Sequence, residues 1–499
     1  MDQPSQGPRK IKYKTVDRSQ VSLQMLDYEL LIEANHPARV IWELAGKLNL
    51  EAFAKESKSV EGEAGRPCWP PRLLVSIWVY GYTLGVASAR ALERMTTQEP
   101  GLRWLTTDEE VNYHTLNDFR VGHREALEKL FIEFLALLEQ AGVVNLQTLL
   151  QDGTKIKAKA AKSSMHRRKT LEKRLKTARQ VVKKLNRQAA EEEAQDQRRA
   201  AAQQRAACEA VARGEAALKE LTKLEQKAAP AKRDQQRVSE SEPEARKMMD
   251  TNGGFQVAYN MQVTTEGQSR MIVAVGLTND PNDLHQLIPA LDRVKDSGLK
   301  TPQTIIADNG YASRKNVEGA AERNVELVAP WKDEDSRQAG GCKNAGIAPE
   351  FAAHAFQHRK NAQELICPAG KTLVLIHQKK HHGVRKMFFE ASARDCQRCR
   401  HLTECCGYRG GPRRIEVPVE TPAMKAYLAR MKRRAVKQLY KKRCEVAEFP
   451  HMWLKGVQKL RQFSVRGLVK AGTEALWMAL AYNVTQWLRL RPATAPATA

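Results

Sequence analysis

Apolar residues recur at helical spacing from about Gln24 to Gly142. In the stretch RPCWPPRLLVSIWVYGYTLG, Pro70-Pro71 predicts a helix start, because proline at a first helical position loses no needed donor. Gly85 is expected to end this helix, Ser88 to Met95 predicts a second one, and Thr115 predicts the cap of a third. We therefore expect residues 24–142 to be all-helical.

After Gly142 the pattern changes to short apolar runs. One run ends in Asp152-Gly153, which predicts a strand followed by a turn. FQVAYNMQV, from Phe255 to Val263, alternates as a strand with one buried face does. Further β-rich runs occupy 271–276, 304–308 and 326–330, with a helical segment, NDLHQLIPALDRVKDSG, between two of them. This order is typical of an α/β domain.

A long segment rich in Ala, Gln, Glu, Lys and Arg separates the first strand from the second. Its apolar stripes predict a helical hairpin or coiled coil. Between Lys155 and Arg237 there are 24 basic and 10 acidic residues. A solvated helix face and a DNA-contacting face both explain such a run.

The charge of the whole chain narrows the classes of partner. Among 499 residues, Lys and Arg total 82 against 57 Asp and Glu, a formal net charge of +25. This excess favours nucleic acid, then an anionic membrane surface. The start of the chain lacks the apolar stretch of a secretory signal, and no apolar run has the length of a membrane span. We expect a cytoplasmic protein without a membrane partner.

Nine cysteines, several of them clustered, fit a reducing compartment. Cys367, Cys396, Cys399 and Cys405 are candidate ligands of a structural Zn²⁺, with Cys406 interchangeable with Cys405. Four histidines are reserve ligands: His377, His381, His382 and His401. The alternative is a set of ordinary reduced cysteines in a surface knuckle.

Two aspartates stand at the ends of apolar runs, Asp152 after LLQ and Asp308 after TIIA. Each is followed within two residues by Gly, so turn formation alone could explain either one. Together, on two strands of one α/β region in a basic protein, they also suit a metal site. Phosphodiester chemistry uses divalent ions held by carboxylates that come from distant sequence positions.

Several blocks, in their order along the chain, resemble the motifs of bacterial insertion-sequence DDE transposases. These blocks are QDGTKIKAKA, ARKMMDTNGGFQVAYNMQV, ADNGYAS and YKKRCEVAEFPHMWLKGVQKLRQFSVRGL. The N-terminal block RPCWPPRLLVSIWVYGYTLGVASARALERM is similar to the helical leader of one subgroup. That subgroup carries a coiled insertion after the first Asp and a cysteine knuckle before the catalytic Glu. The resemblance extends from about Arg66 to Leu490.

The resemblance implies a ribonuclease H-like core with Asp152, Asp308 and Glu448 as catalytic residues and ligands of two Mg²⁺ (or Mn²⁺) ions. Tyr440, Arg443 and Lys455 would complete the family's signature as DNA-binding residues. Glu445 is the fallback acid. The sequence departs from the family at two points. Pro450 follows Glu448 closely, so that the helix is expected to begin at Pro450, and PHMW replaces an aromatic-Gly pair.

The expected architecture is an α/β ribonuclease H-like core with helical and cysteine-rich additions. The segments are an N-terminal arm with first helices (1–65), a helical DNA-binding domain (66–142), the core (143–165 and 250–335), a basic helical-hairpin insertion (166–238), a cysteine-rich insertion (336–420), a C-terminal helical part of the core (421–490) and a disordered tail (491–499).

The resemblance implies a DNA transposase that cuts at element ends and joins the freed 3′-OH to target DNA. Its partners would be terminal inverted repeats and target DNA, bound by a homodimer. Two alternatives stay open: a catalytically inactive DNA-binding remnant or repressor, and a metal-dependent nuclease of the same fold that cuts without joining.

Overall fold

The computed structural model describes residues 26–55, 67–191, 197–250, 253–331, 342–359, 363–381 and 384–490. The predicted arm in residues 1–25, the predicted tail in residues 491–499 and His382 lie outside these ranges.

The described residues before Gly142 form only helices, as the apolar spacing predicts. Their bounds are α1 (Pro37–Lys47), α2 (Glu51–Ala54), α3 (Pro71–Thr83), α4 (Ala89–Met95), α5 (Pro100–Thr106), α6 (Tyr113–Gly122) and α7 (Arg124–Gln140), preceded by a 3₁₀ turn at Tyr28–Leu30. Pro71 opens α3, and Gly85 follows its end with φ +73°. Thr115 is not a cap. Asn112 caps α6 by accepting from the His114 amide, and His123 separates α6 from α7.

The strands form two larger sheets and one short ladder. Their bounds are β1 (Thr148–Lys157), β2 (Met165–His166), β3 (Val238–Ser239), β4 (Arg246–Met249), β5 (Phe255–Glu266), β6 (Ile272–Thr278), β7 (Thr304–Ala307), β8 (Glu326–Val328), β9 (Gln357–His358), β10 (Glu364–Ile366), β11 (Thr372–His381), β12 (Val384–Ala391) and β13 (Arg414–Pro418).

The central sheet has six strands and mixes both pairing types. Its main path is β4-β5-β1-β7-β8, and β6 pairs with β5 along the edge that β4 also uses. Strand β5 is antiparallel to β1, β4 and β6, whereas β1, β7 and β8 run parallel to one another. The prediction that β5 buries only one face is wrong. All its residues after Phe255 are buried, since β1 pairs along one edge, β4 and β6 pair along the other, and the helix Arg443–Gly456 contacts the strand.

Ten further α-helices with both ends inside the described residues follow the first strand. They are α8 (Arg168–Glu191), α9 (Gln197–Lys227), α10 (Leu287–Asp296), α11 (Arg314–Glu322), α12 (Ala393–Gln397), α13 (Leu402–Cys406), α14 (Pro422–Lys432), α15 (Arg434–Lys441), α16 (Arg443–Gly456) and α17 (Leu468–Leu490). Helices α8 and α9 pack against each other in the segment between β1 and β5.

Helix α17 joins the N-terminal helices to the sheet, since it contacts α3, α7 and β6. Its Asn483 side chain bonds both backbone groups of Ile272 in β6, at 2.8 and 2.7 Å. Its Glu474 lies 3.8 Å from Arg120 of α6, and both side chains are almost fully buried. The helical leader and the sheet therefore share one core.

Helices α15 and α16 cover a separate part of the central sheet. A small apolar cluster there joins Leu150, Ile306 and Val328 of three neighbouring strands to Val446 and Ala447 of α16. Helix α16 begins at Arg443 and continues through Pro450, so the prediction that the helix starts at Pro450 is wrong. Glu448 lies inside the helix rather than at its edge.

The cysteine-rich region contains a five-stranded antiparallel sheet, in the order β13-β12-β11-β10-β9, that the sequence analysis missed. It has its own small core, whose buried members are Phe356, Leu365, Leu373, Phe389, Ala391 and Ile415. Among the helices that the structure describes, none is both long and apolar enough to cross a membrane.

Candidate active site

The pairing of two parallel strands sets Asp152 beside Asp308. In the register of β1 with β7, Gln151 lies opposite Ala307. Asp152, inside β1, and Asp308, directly after the end of β7, are the next residues along these two adjacent strands. The two predicted aspartates are therefore neighbours, although 155 positions separate them in the chain.

Alternation along the strands decides the face on which these carboxylates emerge. Leu150 and Ile306, two residues earlier on each strand, pack under α16. Because side chains of a strand point to alternate faces, Asp152 and Asp308 lie on this same side of the sheet. Helix α16 thus runs past both carboxylates.

Arg443, the first residue of α16, forms an ion pair with Asp152. A guanidinium nitrogen lies 3.1 Å from Asp152 Oδ1, and only 10% of the Arg443 side chain is exposed. Burial acts to lower the pKa of Arg443, but the nearby Asp152 and Asp308 carboxylates outweigh it and raise the pKa. Tyr440, one turn earlier, is half-buried near the same groups. Burial raises its pKa, with Arg443 opposing and Asp308 adding to the rise.

Burial raises the pKa of Asp152 to about 6. Arg443 and the Gly153 amide, which donates to Asp152 Oδ1 at 2.9 Å, act in the opposite direction. The carboxylates of Asp308 and Asp283 raise it further. A buried carboxyl group beside other carboxyl groups is ionised only at a cost, which a bound cation would relieve.

The predicted turn at Asp152-Gly153 is wrong, because β1 continues through both residues to Lys157. Gly153 has a different reason to lack a side chain. A Cβ there would lie 2.4 Å from Asp283 Oδ1 and 2.5 Å from Gln262 Nε2. Asp283, just before α10, is held at this position by the amides of Gln262 and Asn260, at 2.6 and 2.8 Å.

His451 is the second residue of α16 that reaches Asp152. Its Nε2 lies 3.7 Å from Asp152 Oδ2, and 11% of its side chain is exposed. Burial, with smaller effects from Lys455 and Arg443, lowers the pKa of His451 to about 3. The imidazole is therefore neutral at physiological pH.

Glu448 lies on the exposed side of α16. Among the described residues its carboxylate has no hydrogen-bond or ion-pair partner, although the surrounding helices are strongly basic. The fallback acid Glu445 is also exposed. Lys455 is partly buried, and burial lowers its pKa, opposed by Asp250 and Asp152. The structure thus groups Asp152, Asp308, Arg443 and Tyr440, with Lys455 near Asp152, and leaves the Glu448 carboxylate unpaired.

Within the described ranges, no group of three or more His, Cys, Asp or Glu side chains already has the arrangement of a metal site. What fits a divalent cation is the Asp152–Asp308 pair, because both carboxylates are hard oxygen ligands and the Asp308 carboxylate adds to the raised pKa of Asp152. The predicted convergence of a third acid on this pair stays a prediction.

The cysteines gather at one end of the five-stranded sheet. Five of them line a cavity of about 30 Å³ there: Cys367, Cys396, Cys399, Cys405 and Cys406. The Lys371 amide donates to Cys367 Sγ at 3.2 Å. Burial, opposed by Arg413, raises the pKa of the Cys405 thiol to about 12. Of the reserve ligands, His401 lines the same cavity, but its ring Nδ1 lies 2.9 Å from Glu404. His377 instead stacks on Phe388 in the neighbouring strand.

Sequence reasoning missed His451 and Asp283. The helical spacing of Arg443 and His451, eight residues apart, would have identified His451 once α16 was known to start at Arg443. Asp283 had no comparable signal, since its position depends on the loop between β6 and α10.

Two family models match the chain. The model described as "Transposase DDE domain" matches residues 366–488, and the one described as "Transposase domain (DUF772)" matches residues 26–122. The first match includes α16 with Glu448, whereas both aspartates lie before it. No curated protein matches the chain.

Proposed function

We propose that this chain, which two transposase family models match, is an insertion-sequence DDE transposase that cleaves DNA at element ends and joins the freed 3′-OH to target DNA. The observation that carries this proposal is the register that sets Asp152 beside Asp308 under α16. We further propose that the central sheet is a ribonuclease H-like core. Its antiparallel strands followed by parallel ones, with the two carboxylates on adjacent strands, support this assignment.

In this proposal Asp152, Asp308 and Glu448 hold divalent cations, Mg²⁺ or Mn²⁺. Two such ions, when bound, supply an activated nucleophile and stabilise the leaving oxygen. The unpaired Glu448 carboxylate supports its role, because an acid in a basic strip that forms no ion pair is available to another cation. Between Met424 and Lys470 there are 14 basic residues, and Glu445 and Glu448 are the only acids.

We propose that Arg443, Tyr440 and Lys455 position DNA phosphates next to the carboxylates. Arg443 now pairs with Asp152 at 3.1 Å, and its planar guanidinium could instead bind a phosphate once cations occupy the carboxylates. Two element ends must be cut together, so we expect a homodimer on DNA in the cytoplasm. The net charge of +25 supports a polyanionic partner.

We also propose that four of the clustered cysteines hold a structural Zn²⁺, with Cys367, Cys396, Cys399 and Cys405 as the first choice. Arg413 supports this assignment. It lines the thiol cavity, and its buried Nε has no hydrogen-bond partner among the described residues. Four thiolates around Zn²⁺ carry a net charge of −2, which a neighbouring guanidinium would balance.

The test of the proposed reaction uses a duplex carrying the inverted repeats that flank this reading frame, with Mg²⁺ or Mn²⁺. Asp152→Asn and Asp308→Asn should reduce cleavage by more than about a hundredfold, beyond the effect typical of residues that only support a metal ligand. DNA binding should persist. Glu448→Gln should behave alike, whereas Glu445→Gln, on the same exposed side of α16, is the matched control and should stay active.

The alternatives predict other results. A wild-type chain that binds the ends without cutting them would be an inactive remnant or repressor. Cleavage without joining of a pre-cut 3′-OH end to a target plasmid would indicate a nuclease. Retained cleavage in both aspartate variants would contradict the proposed site.

A further inference from the structure

His451 is a buried imidazole without hydrogen-bond partners. Neither of its ring nitrogens bonds to any described residue. Leaving buried polar atoms unpaired costs free energy, so each such atom in a native structure calls for an explanation. Among the residues that the structure describes, Asp152 is the only charged group in an ion-pair contact with an imidazole nitrogen, at 3.7 Å from Nε2.

An ordinary ion pair does not explain this contact. The distance exceeds that of a hydrogen bond. His451 therefore faces Asp152 with both ring nitrogens unpaired, and an imidazole nitrogen is the commonest protein ligand of a metal ion.

The separation of the two groups suits a shared cation. In zinc sites, His nitrogen and carboxylate oxygen bind the ion at about 2.0–2.2 Å, so two ligand atoms on one ion of similar size can be up to about 4 Å apart. The observed 3.7 Å falls within that limit. Arg443 approaches the other oxygen, Oδ1, which leaves Oδ2 on the side of His451.

We propose that His451 is a nitrogen ligand of the cation bound by Asp152, and that it biases this site toward Mn²⁺ over Mg²⁺. The inference rests on the proposed function, because it assumes that Asp152 binds a catalytic cation. Mg²⁺ demands a near-ideal octahedral arrangement of oxygen ligands, whereas Mn²⁺, as a first-row transition metal, also binds sites of mixed nitrogen and oxygen ligands. His451 would thus determine metal specificity in a site otherwise built from carboxylates.

The test measures Mn²⁺ binding to the full-length chain from the EPR signal of free Mn²⁺, and Mg²⁺ binding by competition. His451→Leu should weaken Mn²⁺ binding by about tenfold and change Mg²⁺ binding by less than about twofold. His166→Leu, in β2, is the matched control and should leave both affinities unchanged. Asp152→Asn should remove Mn²⁺ binding at this site.

Equal affinities for wild type and His451→Leu would overturn the inference, as would an equal loss for both metals, which would indicate a packing role. Unchanged Mn²⁺ binding in Asp152→Asn would instead overturn the proposed catalytic site itself. If His451→Leu fails to fold, pulsed EPR of wild-type protein with Mn²⁺ decides. A nitrogen coupling to Mn²⁺ that disappears in Asp152→Asn supports His451 as a ligand. The absence of such a coupling in wild-type protein overturns the inference.

Discussion

At the scale of single residues, the site is defined by what surrounds Asp152. This carboxyl group contacts Arg443 on one oxygen and approaches His451 on the other, with only 16% of its side chain exposed. Its pKa is raised because burial outweighs the attraction of Arg443. The ionised Asp152 carboxylate therefore lowers the free energy of unfolding. Such a residue fits a site that binds a cation better than a site that stabilises the fold.

This cost predicts a pH dependence of stability. The folded-state pKa of Asp152, about 6, exceeds the ordinary value of 3.8, so the folded state is favoured by protonation. That contribution is complete below pH 3.8 and is lost as the pH rises through 6. Without divalent cations, Asp152→Asn should therefore be more stable than wild type at pH 7–8, by on the order of 2 kcal/mol.

Thermal unfolding between pH 4 and 8 checks this prediction. The advantage of Asp152→Asn should shrink toward pH 4, and added Mn²⁺ should stabilise wild type but not the variant. Asp296→Asn, at the exposed end of α10, is the control and should follow wild type. A constant difference at all pH values would contradict a raised pKa of Asp152.

Gly153 offers a second test at the residue scale. Gly153→Ala would place a methyl group 2.4 Å from Asp283 Oδ1 and 2.5 Å from Gln262 Nε2. We expect a loss of about 1–3 kcal/mol in the free energy of unfolding, because a packed neighbour must move. Gly122→Ala, in α6, has open space around the new methyl group and should be neutral or stabilising. Denaturant unfolding compares the two, and equal effects would show that Asp283 is free to move.

At the scale of elements, the sequence predicts well what depends on local periodicity. The helical leader, the strands β1, β5, β7 and β8, and the position of Asp308 directly after β7 follow from spacing and apolar runs, whereas the strand end predicted at Asp152 is wrong. What it misses depends on contacts across the fold. Gly153 looks like a turn residue, and only the position of Asp283 explains it as part of a continuous strand.

The helix carrying Glu448 shows the same limit. Pro450 predicts a helix start, but in the structure it is buried within α16. A proline inside a helix costs one backbone hydrogen bond. Here tertiary packing of Val446, Ala447 and Leu454 outweighs that loss. The orientation of His451 toward Asp152 follows from this unbroken helix and could not be derived from a helix that begins at Pro450.

The cysteine-rich sheet yields a prediction at the element scale. Its core is small, so a bound Zn²⁺ should stabilise it strongly. Purified protein should contain about one Zn²⁺ per chain, and Cys396→Ser should lose it. Cys208→Ser, an exposed cysteine of α9, should not. Removing Zn²⁺ should increase amide hydrogen exchange in β10, β11 and β12 while β1 and β5 stay protected. Full protection of β10, β11 and β12 from hydrogen exchange in metal-free protein would contradict the proposed structural Zn²⁺.

At the scale of the whole molecule, basic charge is distributed unevenly. The segment from Lys155 to Arg237 contributes 24 basic and 10 acidic residues, a net +14 of the +25 of the chain. Some of these cations are neutralised within the hairpin, since Arg168 pairs with Glu225 and Arg179 with Glu215. Others are exposed lysines of α8 for which the structure shows no acidic partner among the described residues, such as Lys173, Lys176 and Lys183.

If this face binds DNA, its lysines should determine part of the salt dependence. Each phosphate contact contributes about 0.9 to the slope of log affinity against log salt concentration. Replacing Lys173, Lys176 and Lys183 together by Gln should lower that slope by up to about 2.7 on a duplex of arbitrary sequence, measured by fluorescence anisotropy between 50 and 200 mM salt.

The control is a second triple variant, in which Gln replaces three lysines that are exposed outside the insertion: Lys129, Lys295 and Lys315. Its net charge changes by the same amount. Because counterion release requires local contact, this control should retain most of the slope. Equal slopes for the two triple variants would show that α8 is a solvated face, and that only the overall charge of the molecule attracts DNA.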